Sequence, residues 1–314
     1  MTAGELPAAF PACHDKRGNI MWKYIFKRLL MLIPVIIGVS FIIFFIVNLA
    51  PGDPARIIAG KEADDQTIAR IREELGLNDN IFIRYGRYML GLLQGDLGKS
   101  YYNDRTVLES YLERLPATMW LAFWVILMAL FISLPLGIIA AIRQYSIFDN
   151  LSMVVALTAI SIPDFWLGIL LILFFSLILG WLPSGGNAYW YSVLLPAASI
   201  GTQMVALLTR MTRSSMLEVI RQDYIITARA KGLTEIKVVM KHALKNAMIP
   251  ISTTAGNFFV DMVGGAVIAE TIFSWPGIGR LIVDSINKRD LPMVIGCIIL
   301  TTIIICVVNL IIDV

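Results

Sequence analysis

Three runs in this chain, residues 29–50, 117–142 and 291–312, contain no charged side chain. Such a stretch has few ways to fold. Roughly 20 apolar residues wound as an α-helix, at about 1.5 Å per residue, cross the ~30 Å of a bilayer's hydrocarbon layer. Within that layer only a structure that pairs its own backbone polar groups is tolerated, which leaves helices for runs this long. Composition points the same way: 57% of the 314 residues are hydrophobic, mean hydropathy is +0.74 and only 16% are charged, against about a quarter in soluble domains. The chain therefore reads as an all-α polytopic membrane protein, and a soluble fold around one buried core is excluded.

Residues 1–20 hold Pro7, Pro11, Cys13, His14, Lys16 and Arg17 with no apolar periodicity and no signal-peptide core. They read as a disordered extension. Cys13 and His14 lack the second ligand pair that a metal site needs, and Cys297 and Cys306 read as small apolar residues; no metal site is expected. Residues 21–50 comprise an interfacial collar (Trp22, Lys23, Tyr24, Lys27, Arg28) and a first span. Residues 51–115 form a polar insert that opens on the turn Pro51-Gly52-Asp53-Pro54. In it, Asp65 is placed to cap a helix that presents Ile68, Ile71 and Leu75 and stops at Gly76. A second helix is predicted from Ile81, Tyr85, Tyr88, Met89 and Leu92, ahead of Gly95. This pair suits either a small cap on the membrane part or a face for a partner. Residues 116–314 then supply five more spans, making six: 117–142, about 151–181 with a kink at Pro163-Asp164, 193–209, 251–273 with Asp261 inside, and 291–312.

Charge assigns the sides. Residues 210–245 carry eight Lys and Arg against three acids, whereas the insert carries eleven acids against nine bases. By the positive-inside rule the basic loop, the collar and Arg143 lie in the cytoplasm, the insert lies outside, and both termini are cytoplasmic. The loop 219–249 is also rich in small residues, namely Ala228, Ala230, Gly232 and Ala243, so it suits either a topological marker or a docking surface. Gly98-Lys99-Ser100 ends like a phosphate-binding loop, but Leu93 stands where the first glycine should be and no buried strand precedes it. No cofactor is expected on this chain; ATP and Mg are expected on partner subunits.

From Met21 to Val314 the residues resemble the permease subunits of ATP-binding-cassette importers for dipeptides, oligopeptides and nickel. The motifs, in order, are Ala50-Pro51-Gly52-Asp53-Pro54, Gly95-Asp96-Leu97-Gly98, Leu115-Pro116-Ala117-Thr118, Ser161-Ile162-Pro163 with Phe165-Trp166, Arg210-Met211-Thr212-Arg213-Ser214-Ser215-Met216, and Phe273-Ser274-Trp275-Pro276-Gly277. The basic loop corresponds to the family's cytoplasmic motif, which runs Glu-Ala-Ala, a spacer, Gly, a longer spacer and Ile-x-Leu-Pro. Ala228 and Gly232 fit it, while Ile226, Thr227, His242 and Lys245 depart from it in the manner of the peptide and nickel branch.

The resemblance implies a type I importer fold with a small helical extracytoplasmic insert after the first helix. It implies a coupling helix around Thr227, Ala228, Arg229, Ala230, Lys231, Gly232, Leu233 and Thr234, with His242 behind it, docked on a separate ATPase. It also implies two ATP-binding subunits, a homologous second permease, an extracytoplasmic solute-binding protein docking near Asp96, Leu97 and Gly98, and alternating access in a bacterial or archaeal cytoplasmic membrane. Nucleic acid has no place in this scheme; membrane lipid does. Peptides are the expected cargo, with nickel or another metal chelate, or glutathione-like peptides, as the alternative. Candidate pathway residues are Asp164, Asn257, Asp261 and Glu270, since acids within spans face interior or watery surroundings. An intramembrane enzyme is the rival class. It would need two acids sharing a proton, but neither Asp164 nor Asp261 sits in a Gly-Asp motif, and His14 and His242 cannot form a zinc-protease motif.

Overall fold

The first apolar run is only part of its helix. In the computed structural model, which describes residues 15–49, 53–60 and 63–313, α1 spans Asp15–Leu49. The extension expected over 1–20 is thus helical from residue 15; residues 1–14, with Cys13 and His14, lie outside the described residues, as do 50–52 of the expected turn. The insert begins with α2 (Pro54–Ala59), where the Asp53 carboxylate accepts from the Ala55 N–H at 3.1 Å. Next comes α3 (Asp65–Glu74), whose cap is Asp64 and not Asp65: the Thr67 N–H donates to Asp64 Oδ1 at 3.3 Å. Asp64 keeps the extended backbone a cap requires, while Asp65 already belongs to the first turn. Gly76, at φ +61°, ends this unit as expected.

α4 (Ile81–Leu93) packs on the membrane part. Its Tyr85 hydroxyl reaches Ser40 Oγ at 3.1 Å and the Ile37 carbonyl at 3.2 Å, and Tyr85, Tyr88 and Leu92 meet Phe44, Leu291 and Ile295. Ile37 lies twelve residues, about 18 Å, before the end of α1, so α4 runs alongside the apolar half of that helix. Its other face, Phe82, Ile83, Leu90 and Leu93, is exposed and apolar. Of the two readings of the insert helices, the cap describes this packing.

A single antiparallel bridge, Lys99 to Thr106, leads into α5 (Val107–Ile142). This helix starts ten residues before the expected span, taking 107–115 from the insert, because Thr106 supplies a cap to the Glu109 N–H at 3.2 Å. α6 (Ile147–Ser161) begins at the Ser146 cap, and Pro163 separates it from α7 (Asp164–Leu171), which widens into a π-helical segment over Ile172–Ile178. The kink expected there is a 95° bend. α8 polar side chains satisfy the backbone at the break: Gln203 Nε2 donates to the Ile162 carbonyl at 2.9 Å and Ser199 Oγ to the Asp164 carbonyl at 2.6 Å.

α8 (Leu194–Ile220) extends well past the predicted 193–209 and is followed by α9 (Asp223–Ala230), α10 (Glu235–Lys237), a π-helical segment at Val238–Ala243 and α11 (Leu244–Gly265). α12 (Val267–Ile272), α13 (Ile278–Lys288) and α14 (Leu291–Asp313) complete the described chain. Among the described residues four helices are long and apolar enough to cross a membrane, within α1, α5, α8 and α14, and the bent α6–α7 pair makes a fifth candidate. The remaining expected span, 251–273, is divided between α11 and α12. At 22 residues α11 has the length, but Thr253, Asn257 and Asp261 make it more polar than the others.

α5 and α8 run parallel and form the centre of the main core, with Leu121, Val125 and Ala129 against Met204 and Leu208. Gly137 permits the approach, and Gly201 makes room for the end of the Met128 side chain. A Cβ on Gly137 would fall 2.6 Å from Thr212 Cβ and 2.8 Å from the Thr209 carbonyl, and one on Gly201 would meet Met128 Cε at 2.3 Å. Packing of this kind, with small residues admitting a neighbouring helix, suits a medium where apolar burial offers no advantage over lipid. Gly137→Leu should therefore destabilise the detergent-solubilised protein by about 1–3 kcal/mol or more through overpacking. Gly38→Ala on α1, where a Cβ has open space, should leave the melting temperature unchanged or slightly higher. Thermal unfolding of the two variants side by side checks this.

Candidate functional site

The loop 219–249 folds as a short helix propped on the bundle. Ile225 and Ala228 on α9 are buried, as are Val238, Val239 and Ala243 behind it, and Leu233 packs partly into the same core. Ala228, expected on the docking face, is therefore an anchor: in an eight-residue helix the positions three apart, 225 and 228, share the inward side. Thr227, Arg229, Ala230, Lys231, Gly232 and Thr234 are exposed. The helix closes when the Lys231 N–H meets the Thr227 carbonyl at 3.1 Å and the Gly232 N–H meets the Arg229 carbonyl at 2.9 Å. Gly232 then turns the chain at φ +76°, a conformation that costs other residues. Arg229 does not reach outward. It forks onto Glu235 at 3.0 and 2.6 Å, a hydrogen-bonded pair that holds the Glu235 carboxyl below the ordinary range. His242 sits half-buried in the π-helical segment.

Around this fork the surface is unusually apolar: Ile226 is 57% exposed, Ile236 78% and Met240 54%. A second ion pair ties two elements of the bundle together. Arg213 on α8 grips Asp149 at the start of α6, through Nε to Oδ1 and through Nη2 to Oδ2 at 2.8 Å, with the Asp149 side chain 1% exposed. The pair escaped sequence reading, although an acid four residues from a turn and an arginine inside an otherwise apolar span each call for a partner.

The four pathway candidates separate. Asn257 and Asp261 are exposed, one helical turn apart on α11, in line with Thr253; among the described residues no side-chain hydrogen bond joins them. Asp164 stands at the 95° bend as the first residue of α7, its Oδ1 accepting from the Phe165 N–H at 2.9 Å. No hydrogen bond joins Asp164 to Asp261 among the described residues.

Glu270 is wholly buried. Thr118 Oγ1 donates to its Oε1 at 2.7 Å, the Arg280 N–H to its Oε2 at 3.0 Å, and the Gly279 N–H adds another bond. The carboxylate thus closes the N-terminus of α13 from a different helix, where free N–H groups and the helix dipole favour an anion. This explains the Phe273–Gly277 motif. Trp275 is buried with Nε1 on the Ala117 carbonyl at 2.9 Å, and Gly277 leaves room for Glu270, whose Oε1 would lie 2.1 Å from a Cβ there.

The docking candidates near the insert are mostly internal. Asp96 is exposed but its Oδ1 accepts from the Gly98 N–H at 2.8 Å, Leu97 packs into two apolar clusters, and Gly98 turns at φ +87° against Pro292. Ser100, the third residue of the rejected phosphate loop, instead donates to Asp290, which also accepts from the Tyr101 N–H at 3.3 Å. Burial pushes the Asp290 carboxyl up, against those hydrogen bonds. α13 and this strap on Asp290 were not foreseen.

Glu270→Ala would strand three buried donors at roughly 1–3 kcal/mol each, so it should lower the melting temperature by many degrees. Asp261→Asn, on an exposed face, should not. Differential thermal unfolding in detergent measures both.

Comparison with known proteins places this geometry. The family described as binding-protein-dependent transport system inner membrane component matches residues 133–314, and its N-terminal membrane component matches 21–122. The glutathione transport system permease protein GsiC of Salmonella paratyphi A is 43% identical over 294 residues, covering 94% of this chain and 96% of that protein. GsiC of Escherichia coli (strain K12) is 42% identical with the same coverage. A chain of the MetNI methionine ABC transporter superposes with a TM-score of 0.55 at 19% identity, covering 66% of this chain and 94% of its own, a likeness of fold alone. With most of the chain matched in order, it belongs to the inner-membrane components of binding-protein-dependent transport systems, the permeases of ATP-binding-cassette importers.

Proposed function

We propose that this permease moves short peptides of the glutathione class across a bacterial inner membrane, pairing with a second, homologous permease and driven by separate ATPases at loop 219–249. The carrying observation is the polar line Thr253, Asn257 and Asp261 on α11, exposed in the single chain. Lipid cannot solvate an ionised carboxylate within a spanning helix, so this face requires water or protein. A cavity shared with a second permease supplies both, and places these side chains along the pathway.

The other end supports the drive. Ile226, Ile236 and Met240 are exposed beside the Arg229–Glu235 fork and the cations Lys231, Lys237 and Lys241, an apolar centre with a charged rim of the kind that protein interfaces use. An ATPase seated there pushes on α9, whose anchors Ile225 and Ala228 reach the α5–α8 core. The basic balance of the loop supports a cytoplasmic position, with both termini on that side and the insert outside. GsiC relatives name the cargo class; this chain supplies no covalent chemistry and no nucleotide site in this scheme.

Gly232→Val forces a β-branched residue to φ +76° and should abolish ATPase coupling and uptake while membrane insertion stays intact; Gly232→Asn, which tolerates that conformation, should recover part of both. Normal coupling by the valine variant in proteoliposomes would refute the assignment. For the pathway, Asp261→Leu should cut uptake at least about tenfold, some 1.4 kcal/mol, with an unaltered melting temperature, and Asp261→Asn should cut it less. Competition between labelled glutathione, a dipeptide and nickel, in cells with and without this chain, decides the cargo.

A further inference from the structure

A charged recess at the end of the bundle opposite the basic loop takes no part in the scheme above. It is a cavity of about 260 Å³ where the last turn of α1 meets the insert and the start of α14, and Arg72, Arg84 and Arg289 converge on it with Asp53. Three arginines and one acid are thus among the described residues that line it. Arg72 is bonded to Asp53, and Arg289 is held at the end of α13 in a left-handed conformation, φ +58°.

Arg84 is the informative member. It is half-buried over the Phe44 ring, 5.9 Å from the centroid, and among the described residues its side chain makes no hydrogen bond. Its neighbour in charge, Asp79, is already bonded to Arg87 at 2.9 Å. A guanidinium carries five N–H donors in a planar fork and does not lose its charge. Half-buried beside a cavity lined by two more arginines, that fork is free to take an anion in place of water.

We propose that this recess binds a phosphate group, presented by the headgroup of an anionic lipid. A compact, multiply accepting anion matches converging guanidinium forks, which pair with phosphate in two parallel bonds. The location selects lipid as its carrier. α1 ends at Leu49 and α14 begins at Leu291 beside the recess, so it sits at the polar edge of two spanning helices. Immediately along α1, Ile42, Ile46 and Leu49 are exposed and offer an acyl chain a path into the hydrocarbon.

The test is native mass spectrometry of the full chain, isolated with its transporter subunits and titrated with phosphatidylglycerol, with phosphatidylcholine as the zwitterionic control and inorganic phosphate as the free anion. Phosphatidylglycerol should be retained at concentrations at least about tenfold below phosphatidylcholine, the margin expected of charged hydrogen bonds. Arg84→Gln should erase that preference, Arg84→Lys should keep part of it, and millimolar phosphate should compete. Arg289→Gln reads the same loss from the opposite wall should Arg84→Gln fail to fold. Equal retention of the two lipids, or an undiminished preference in a folded Arg84→Gln protein, overturns the proposal; binding of inorganic phosphate without a lipid preference overturns the lipid as carrier.

Discussion

The close parallel contact of α5 and α8 is the constraint on which the other elements depend. Lipid offers no hydrophobic gain for pushing two apolar helices together, so the contact has to come from fit, and Gly137 lets the two helices approach where a Cβ would collide with Thr212 and the Thr209 carbonyl. α6 and α7 then lean on α8 through Asp149, Ile162 and Asp164, and α11 packs against both partners. The anchors of α9 enter the same core. The loop is thus packed directly on the central pair of helices.

Polar chemistry is kept to the ends of this frame, and each polar group there ties elements distant in sequence. Glu270 binds Thr118 of α5 and the start of α13, and Asp290 binds Ser100 and Tyr101 of the insert. Both are buried acids that accept several hydrogen bonds. The consequence is mechanical: α12, α13 and the insert are fastened to the tops of α5 and α14 and move with them. The exceptions are Asn257 and Asp261 on α11, which are exposed and make no side-chain hydrogen bond among the described residues. That contrast is why they, and not Glu270 or Asp164, carry the proposed pathway.

Much of this was legible beforehand, for identifiable reasons. Uncharged runs 29–50, 117–142 and 291–312 announce helices because hydrocarbon leaves the backbone no alternative. Gly232 announces a turn because little else tolerates its conformation, and Pro163 a break because it removes a donor. The bounds were less legible. α5 begins at Val107 since Thr106 caps it, and the cap lies in polar sequence where hydropathy carries no signal. α8 runs through Arg210 and Arg213 because Asp149 neutralises one of them, a partner 64 residues away. α13 was missed for a similar reason: it is amphipathic, short and started by Glu270 from another helix.

Sequence alone determined the class of structure, the order of the main apolar helices and the turn at Gly232, because hydropathy and turn residues act locally. Tertiary structure decided what each candidate does. Ala228 became an anchor, Arg229 an internal fork, Glu270 a buried helix cap and Leu97 a packing residue, while Asp261 alone among the acids within spans kept an exposed, unpartnered carboxylate. Those roles depend on which groups lie within about 3 Å, and distance between remote residues is a property of the fold, which no local pattern encodes.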